Sequence, residues 1–591
     1  MLIELEKLTI EGFLETFDRI AEAKEKAGIE GVLNNPPDLL ERSKLYGIQY
    51  RNCSWGWTSN IWSRSAEGSV VVESNEQLKN EHKLLMRSVL EQILCRKLIQ
   101  VDATLGMPDT PVAMHCRLYI DAQFPDIAYR WKELNFVADP SKKPGATIFW
   151  IPHYLENPSV PAKQEMLKII RFPSHGYTIA TCSSYQGECK KGFLTHWINY
   201  VYEKGGTGEH ASLKEFTVKR SDGVEKRIAM CVWGLSGSGK STHGLYIINE
   251  RTARIFREKF GIEMQKLVYN QVIKNDDVIA MFEDRVYGSE KGSWTKTEDV
   301  DENQVAMYRA GMSPRALHEN TEFCEDGNVS FEGKLYQYHG KLNRNARTVF
   351  YLEDTGYYDG NVNSSVPLNM AVFISPGYTS DYAWVKINEP AFAAKILADG
   401  RTIGHPAQSR IGVGQEKYES RYCLPFTMGA TNAQHTARFH SFLRKRLQNA
   451  EPVDVYLINT TGRVGAEYDW TEIELSGEKV EVPKTRFEEK GGKLRPVGGV
   501  GPSIEETELF LFQAARGAAN YEPHPIWKDK VLAPTHIDGL QDDALKKYDP
   551  FTYRTMEEMK KLLRAQIALS RHNLAIQCSG LPVEILNAMD F

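Results

Sequence analysis

The sequence predicts an α/β protein of two lobes, an N-terminal mixed α/β domain over residues 1–222 and a C-terminal P-loop domain over residues 223–591. Three observations predict it. Helical spacings and strand-like apolar runs are interspersed through the first third of the chain. A stretch rich in Gly, Ser and charge, Glu203–Glu225, then interrupts them. Beyond it an apolar strand runs directly into a glycine-rich loop that ends in Lys-Ser.

Apolar residues recur at helical spacing over residues 8–28 and 76–99. Lys97–Asp102 (KLIQVD), Ala113–Ile120 (AMHCRLYI) and Ala146–Ile151 (ATIFWI) have the composition of strands. The second lobe opens on Ile228–Trp233 (IAMCVW) and continues through strand-like runs at Thr348–Leu352, Met370–Ile374 and Asp454–Ile458. Glu489–Gly501 has the composition of a glycine-rich loop, and Thr555–Ala575 that of an amphipathic helix.

Composition removes several function classes. The chain has 591 residues, 42% hydrophobic and 10% aromatic, enough to fill more than one core. With 72 Lys+Arg against 77 Asp+Glu it lacks the global positive field of a nucleic-acid-coating protein. The longest weakly charged stretch, Val366–Tyr378, is too short for a membrane span, so no membrane partner is expected. Met1–Ile29 has neither a basic start nor an apolar centre, and no secretory signal is expected. The nine cysteines are scattered without a C-x-x-C pair. A reduced, cytoplasmic protein is the expectation.

The sharpest signal is Gly234-Leu235-Ser236-Gly237-Ser238-Gly239-Lys240-Ser241, followed by Thr242. It fits G-x-x-x-x-G-K-[ST] and stands between an apolar strand and a helix-compatible stretch, Thr242–Asn249. Glycines let backbone N–H groups turn inward around phosphate oxygens, and a helix N-terminus adds a favourable dipole. The second lobe is therefore expected to be a mononucleotide-binding domain. Lys240 would neutralise phosphate charge and Ser241 would offer a hydroxyl to Mg²⁺. Asp276-Asp277, after a semi-apolar run, are the candidate acids for the metal.

With these residues in place the chain resembles the phosphoenolpyruvate carboxykinases, particularly their ATP-using branch. Gly234–Thr242 (GLSGSGKST) is similar to that branch's phosphate loop. Gly288–Thr297 (GSEKGSWTKT) is similar to the segment ending in a phosphate-contacting Lys, here Lys296. Asn345-Ala-Arg347 lies where the family has an Arg between phosphate and substrate. Tyr185-Gln-Gly-Glu188-Cys-Lys190-Lys191-Gly192 resembles the family's Y-x-G-E-x-K-K-G signature. Ser63-Arg64-Ser65 resembles the start of its substrate-carboxylate loop, with Ala66-Glu67-Gly68 in place of the usual continuation.

The resemblance implies a two-lobed phosphoenolpyruvate carboxykinase-like fold whose interdomain cleft interconverts oxaloacetate and ATP with phosphoenolpyruvate, ADP and CO2. It implies Arg64 on a substrate carboxylate and Tyr185 beside phosphoenolpyruvate. Lys190 would steady the enolate. Lys191 and Asp277 would hold Mn²⁺, while Lys240, Ser241, Asp276, Lys296 and Arg347 would handle the triphosphate and Mg²⁺. Gly404–Gly414 would be a lid. Two adjacent lysines beside an arginine also repel, so at least one lysine pKa is expected to fall.

Two departures stand out. The family's third metal ligand is a His shortly before the phosphate-loop strand, and no His occurs between Ala211 and Thr242. Glu215 is the expected replacement, with His210 and His196 upstream. The connection from Lys240 to Asp276 is also long, so Glu250–Gln271 is expected to be an inserted helix. Two other readings stay open beside the carboxykinase: a kinase of the same fold with a changed acceptor or donor, such as pyrophosphate, and a nucleotide-binding protein without catalysis.

Overall fold

A computed structural model describes residues 4, 7–27, 31–60, 69–153, 168–235, 238–298, 300–332, 345–375, 381–403, 416–419, 431–460, 463–475, 477–490 and 493–591. Of the expected functional residues, Arg64, Ser236, Gly237 and the Gly404–Gly414 segment lie outside these.

Among the described residues, eight strands form the sheet of the first lobe. Seven run in the order Val32–Asn34, Leu98–Leu105, Met114–Asp121, Ala146–Ile151, Tyr177–Thr181, Lys168–Phe172 and Ser69–Val71, and Phe136–Val137 pairs with Leu98–Leu105. Strand Ala146–Ile151 shows why the sheet is covered on both faces. Ala146, Ile148 and Trp150 pack with Trp131, Phe193 and Trp197, from helices Pro125–Leu134 and Gln186–Glu203. Phe149 and Ile151 point the other way, against Phe13, Phe17 and Val89 of helices Ile10–Lys26 and Asn80–Cys95. Successive side chains on a strand alternate faces, and both sets here are apolar.

The second lobe repeats this logic. Among the described residues its main sheet has eight strands, ordered Val268–Asn275, Ala211–Lys219, Glu225–Trp233, Met370–Ser375, Asp454–Asn459, Trp384–Ile387, Lys528–Ile537 and Ala519–His524. The three central ones are parallel. Ile228, Met230 and Val232 pack with Leu509, Phe510 and Phe512 of helix Ile504–Arg516. Cys231 and Trp233 face Phe439 and Phe442 of helix Asn432–Gln448. A loop at the C-terminal end of such a parallel strand is where this class of sheet binds ligands.

The structure corrects three sequence-based expectations. The domain boundary at 222/223 falls inside a hairpin, because Ala211–Lys219 and Glu225–Trp233 pair from Ala211↔Trp233 to Lys219↔Glu225. Its turn is tied to the far end of the chain by Ser221 N–H donating to Arg516 O at 2.9 Å. The crossing into the second sheet therefore lies nearer residue 210. The helix after the phosphate loop covers only Lys240–Gly244. Beyond it Leu245 and Ile247 bury on one side, Tyr246 and Ile248 on the other, an alternation that only extended chain can satisfy. Finally, the glycine-rich stretch Glu489–Gly501 includes two short strands, Lys493–Pro496 and Gly498–Val500.

Of the expected inserted helix Glu250–Gln271 only Glu250–Phe260 is helical, and Val268–Gln271 already belongs to the strand Val268–Asn275. The expected C-terminal helix is present as Met556–Gln577. No helix among the described residues is long and apolar enough to cross a membrane.

Helix Gln186–Glu203 carries the paired lysines, and its position depends on Trp197, which is fully buried and donates its indole N–H to Val112 O at 2.8 Å. Replacing Trp197 by Ala is expected to cost about 3–5 kcal/mol. Urea unfolding would report it as an earlier transition of the first lobe, and an unchanged midpoint would contradict this packing account.

Candidate active site

The phosphate loop is held open by two glycines with different duties. An ideal Cβ on Gly234 would lie 2.5 Å from Ser238 Oγ, so any side chain would collide with the loop's own return. Gly239 has φ +99, a left-handed turn that aims the following helix start at the cleft. Ser238 Oγ donates to Leu235 O at 2.7 Å, and Thr460 Oγ1 clamps the loop from outside by donating to Ser238 O at 2.9 Å.

Beside the loop, a cleft is lined by Lys191, His210, Leu235, Gly239, Lys240, Ser241, Thr242, Asp276, Asp277, Trp294, Lys296 and Arg347, among others. It gathers residues from both lobes. Strand Val268–Asn275 ends at the acidic pair, and Asp277 itself has φ 109, an uncommon conformation for a residue with a side chain. That turn sends the two carboxylates to different partners.

Asp276 faces the phosphate loop. It accepts from Lys240 Nζ at 3.0 Å, from Ser241 Oγ at 3.0 Å and from Ser293 Oγ at 2.9 Å. Asp277 faces the lysine helix. Its Oδ2 accepts from Lys190 Nζ at 2.6 Å and Lys191 Nζ at 2.5 Å. Its Oδ1 lies 2.6 Å from His210 Nε2 and 3.5 Å from Lys240 Nζ. Lys190 also donates to Glu290 Oε2 at 2.6 Å.

Magnitudes explain the charge states. Withdrawing an ion from water costs several kcal/mol, while two unit charges about 4 Å apart at an effective dielectric of about 20 recover about 4 kcal/mol. Burial opposes the charge on Asp277, but Lys190, Lys191 and Lys240 outweigh it and hold the carboxyl well below its usual range. Glu290 is buried with Lys190 as its close cation, shared with Asp277, and burial pushes it up to about 7. The fall expected for at least one of the paired lysines does not occur at Lys190. Burial lowers it, yet the Asp277 and Glu290 carboxylates more than compensate and raise its pKa. Burial, aided by Lys191, brings His210 down to about 3, which leaves the imidazole neutral.

A third group borders the cleft. Tyr185 is fully buried, and its hydroxyl accepts from Asn345 Nδ2 at 2.8 Å and Arg347 Nε at 3.3 Å. Arg347 Nε also donates to Asn345 Oδ1 at 2.9 Å, and the guanidinium lies 4.8 Å from the Trp294 ring centroid. Burial raises the Tyr185 phenol to about 12, so it stays protonated. Lys296 Nζ reaches Glu298 Oε2 at 2.9 Å and remains partly exposed to the cleft.

Glu215 does not reach this cleft. It is fully buried on the strand Ala211–Lys219, where it pairs with Arg227 at 3.0 Å and accepts from Ser365 N–H at 2.5 Å. His210, one residue before that strand, stands beside Lys191 and Asp277 instead. The sequence signal existed: Ala211 pairs with Trp233, the last residue before the phosphate loop, so the residue preceding Ala211 must lie at the loop's level. Asn345, Trp294, Glu290 and Ser293 were also given no role by sequence reasoning, because their neighbours come from other segments.

The donor set can be tested for a metal. Among the described residues no three His, Cys, Asp or Glu side chains form a metal-binding group. An imidazole, a carboxylate and a lysine amine do converge on one point, through Asp277. Mixed nitrogen and oxygen donors of this kind fit a borderline divalent ion such as Mn²⁺. Ser241 and Asp276, all oxygen, fit a harder ion such as Mg²⁺.

Comparison with known proteins agrees with this geometry. The family model described as phosphoenolpyruvate carboxykinase, in its ATP form, matches residues 64–487. A phosphoenolpyruvate carboxykinase (ATP) of Aeropyrum pernix is 28% identical over 217 residues, covering 36% of this chain and 40% of the relative. A Staphylococcus aureus protein of the same name is 26% identical over 340 residues, covering 55% of this chain and 53% of its own length. Another from that species is 26% identical over 426 residues, covering 69% and 68%. The chain thus spans about half the length or less of the first two relatives.

Glu215→Ala is expected to lower stability by about 1–3 kcal/mol, because Arg227 and Ser365 lose their buried acceptor. The thermal midpoint reports it, and a midpoint equal to that of the unaltered protein would remove this structural assignment.

Proposed function

The chain belongs to the phosphoenolpyruvate carboxykinase family, and from that premise we propose that it interconverts oxaloacetate and ATP with phosphoenolpyruvate, ADP and CO2. The observation that carries the reading is the meeting of Lys190, Lys191, His210 and Lys240 around Asp277, beside a phosphate loop. A changed acceptor is suggested by the missing ligand His and by Ala66-Glu67-Gly68; the position of His210 beside Asp277 speaks against the first of these, and residues 66–68 lie outside the described residues.

In this reading Mn²⁺ would be held by Lys191, His210 and Asp277, and Mg²⁺ by Ser241 with Asp276. Such ions stabilise developing negative charge on oxygen and clamp phosphate oxygens. The chain's own groups account for the rest. The phosphate-loop N–H groups and Lys240 bind the nucleotide's phosphates. Lys296 and Arg347 border the same cleft as the loop, where they neutralise the transferred phosphoryl group. Tyr185, by family resemblance, would lie beside the substrate; its buried neutral hydroxyl accepts from Asn345 and from Arg347, which borders the cleft, and so helps fix that guanidinium. Arg64, by family resemblance, takes a substrate carboxylate.

Chemistry then proceeds in two bond changes. The bond from C3 of oxaloacetate to its terminal carboxylate breaks, CO2 leaves, and the electron pair becomes an enolate. Lys190, by family resemblance, would steady that anion; here its charge is shared with Asp277 and Glu290. The enolate oxygen attacks the γ-phosphorus as the bond to ADP breaks. The eight described cysteines are free thiols, which supports a reducing, cytoplasmic location.

The test supplies phosphoenolpyruvate, bicarbonate, ADP and Mn²⁺, with oxaloacetate followed by its coupled reduction. ADP is expected to support turnover. Absence of turnover with ADP, GDP and inorganic phosphate alike would overturn the reading. Lys191→Ala should reduce turnover by about a hundredfold or more while MgADP affinity changes little. His210→Ala should weaken Mn²⁺ binding by at least about tenfold, measured by the electron spin resonance of free Mn²⁺. An unaltered Mn²⁺ affinity in that variant would exclude His210 as a ligand.

A further inference from the structure

Beneath the phosphate loop, on the side away from the cleft, three charged or titratable side chains from three distant segments meet. His243 follows the loop within the one-turn helix Lys240–Gly244. Its Nδ1 lies 2.8 Å from Oε1 of Glu508, which is fully buried on helix Ile504–Arg516 and 265 residues away in sequence. Lys214 Nζ, on the strand Ala211–Lys219, is 3.6 Å from Glu508 Oε2. The same ammonium donates to His243 O at 2.9 Å and to Tyr246 O at 3.1 Å. It thereby adds a buried donor to carbonyls at the C-terminal end of the one-turn helix.

The other edge of the imidazole faces the loop: an ideal Cβ on Gly239 would lie 3.6 Å from His243 Cδ2 and 3.9 Å from Nε2, so the ring stands where it would contact any side chain placed on the left-handed turn. His243 N–H donates to Gly239 O at 3.0 Å, closing the same turn from the backbone. A residue whose ring is fixed by a buried carboxylate and whose own N–H closes the turn restrains the turn's conformation. A buried ion pair of this kind is weak evidence of a stabilising role, since well-packed apolar groups of similar volume often serve as well. Glu508 also lies beyond residue 487, where the family match ends.

We propose that His243, oriented by Glu508 and backed by Lys214, is a positioning residue for the phosphate loop, holding the Gly239 turn so that its N–H groups stay aimed at the phosphates of the bound nucleotide. The C-terminal helix Ile504–Arg516 is then part of the nucleotide site without touching the ligand. This inference rests on the carboxykinase reading for the identity of the nucleotide, but the arrangement serves any phosphate chain bound by the loop.

Calorimetry with MgADP and, separately, magnesium pyrophosphate tests it on the full chain, with phosphoenolpyruvate KM and the thermal midpoint measured alongside. Glu508→Gln keeps the volume and removes the charge. His243→Leu keeps the bulk and removes Nδ1–H, whereas His243→Asn places an amide N–H near the position of Nδ1. Glu508→Gln and His243→Leu are expected to weaken MgADP binding about tenfold, with phosphoenolpyruvate KM little changed and His243→Asn recovering most of the affinity. The double variant should bind no more weakly than either single one, because the two residues act as a unit. MgADP affinities within twofold of the unaltered protein in both single variants would overturn the proposal. So would a loss that His243→Asn fails to recover. Should Glu508→Gln not fold, His243→Leu and His243→Asn decide alone. An unaltered protein that binds pyrophosphate but not ADP contradicts the nucleotide reading, and the same comparison on pyrophosphate then decides the positioning claim. One that binds neither overturns both.

Discussion

Four nitrogen-bearing side chains reach the Asp277 carboxylate: Lys190 and Lys191 from one helix, His210 from the crossing between lobes, and Lys240 from the phosphate loop. This buried anion, with Glu290 beside Lys190 and Asp276 beside Lys240, offsets the repulsion among the three lysines. The rest of the site follows from this arrangement. The helix Gln186–Glu203 must pack tightly on the first sheet, the strand Val268–Asn275 must end at this level, and Asp277 must adopt its unusual positive φ. Local backbone strain of about 1–3 kcal/mol is tolerated there because several close charge pairs depend on the same residue.

The site also separates two kinds of acid by environment. Asp277, among many cations, stays ionised well below the usual range. Glu290, with Lys190 as its close cation, is pushed up to about 7. Asp276 instead joins Lys240 to hydroxyls of Ser241 and Ser293, a polar set suited to a phosphate-bound cation. Neighbouring acids in sequence therefore face different side-chain partners, and the left-handed backbone at Asp277 makes this possible. Behind the loop, Glu508 and Lys214 repeat the device on a smaller scale.

Much of the fold was legible in the sequence because strands buried on both faces are continuous apolar runs. Ala146–Ile151 and Ile228–Trp233 are examples, and both lie at sheet centres. The phosphate loop was legible for a related reason: its glycines are demanded locally, by the collision at Gly234 and the turn at Gly239. The domain boundary was misjudged because Glu203–Glu225, polar and glycine-containing, has the composition of a linker, yet its strand residues pair within a sheet. Glu215 was misjudged because a buried acid in the expected window says nothing about its partners, and Arg227 and Ser365 became visible only in the fold. The rise in the Lys190 pKa escaped for the same reason. Sequence adjacency displayed Lys191, a repelling charge, while Glu290 was brought near by folding.

The central claim is that Asp277 and the nitrogens around it form the metal end of a phosphoryl-transfer cleft. Anomalous diffraction from a crystal soaked in Mn²⁺ tests it most directly. The account predicts a peak bounded by Lys191 Nζ, His210 Nε2 and the Asp277 carboxylate. A well-ordered crystal with no peak there, or with its peak at Glu215, would contradict it.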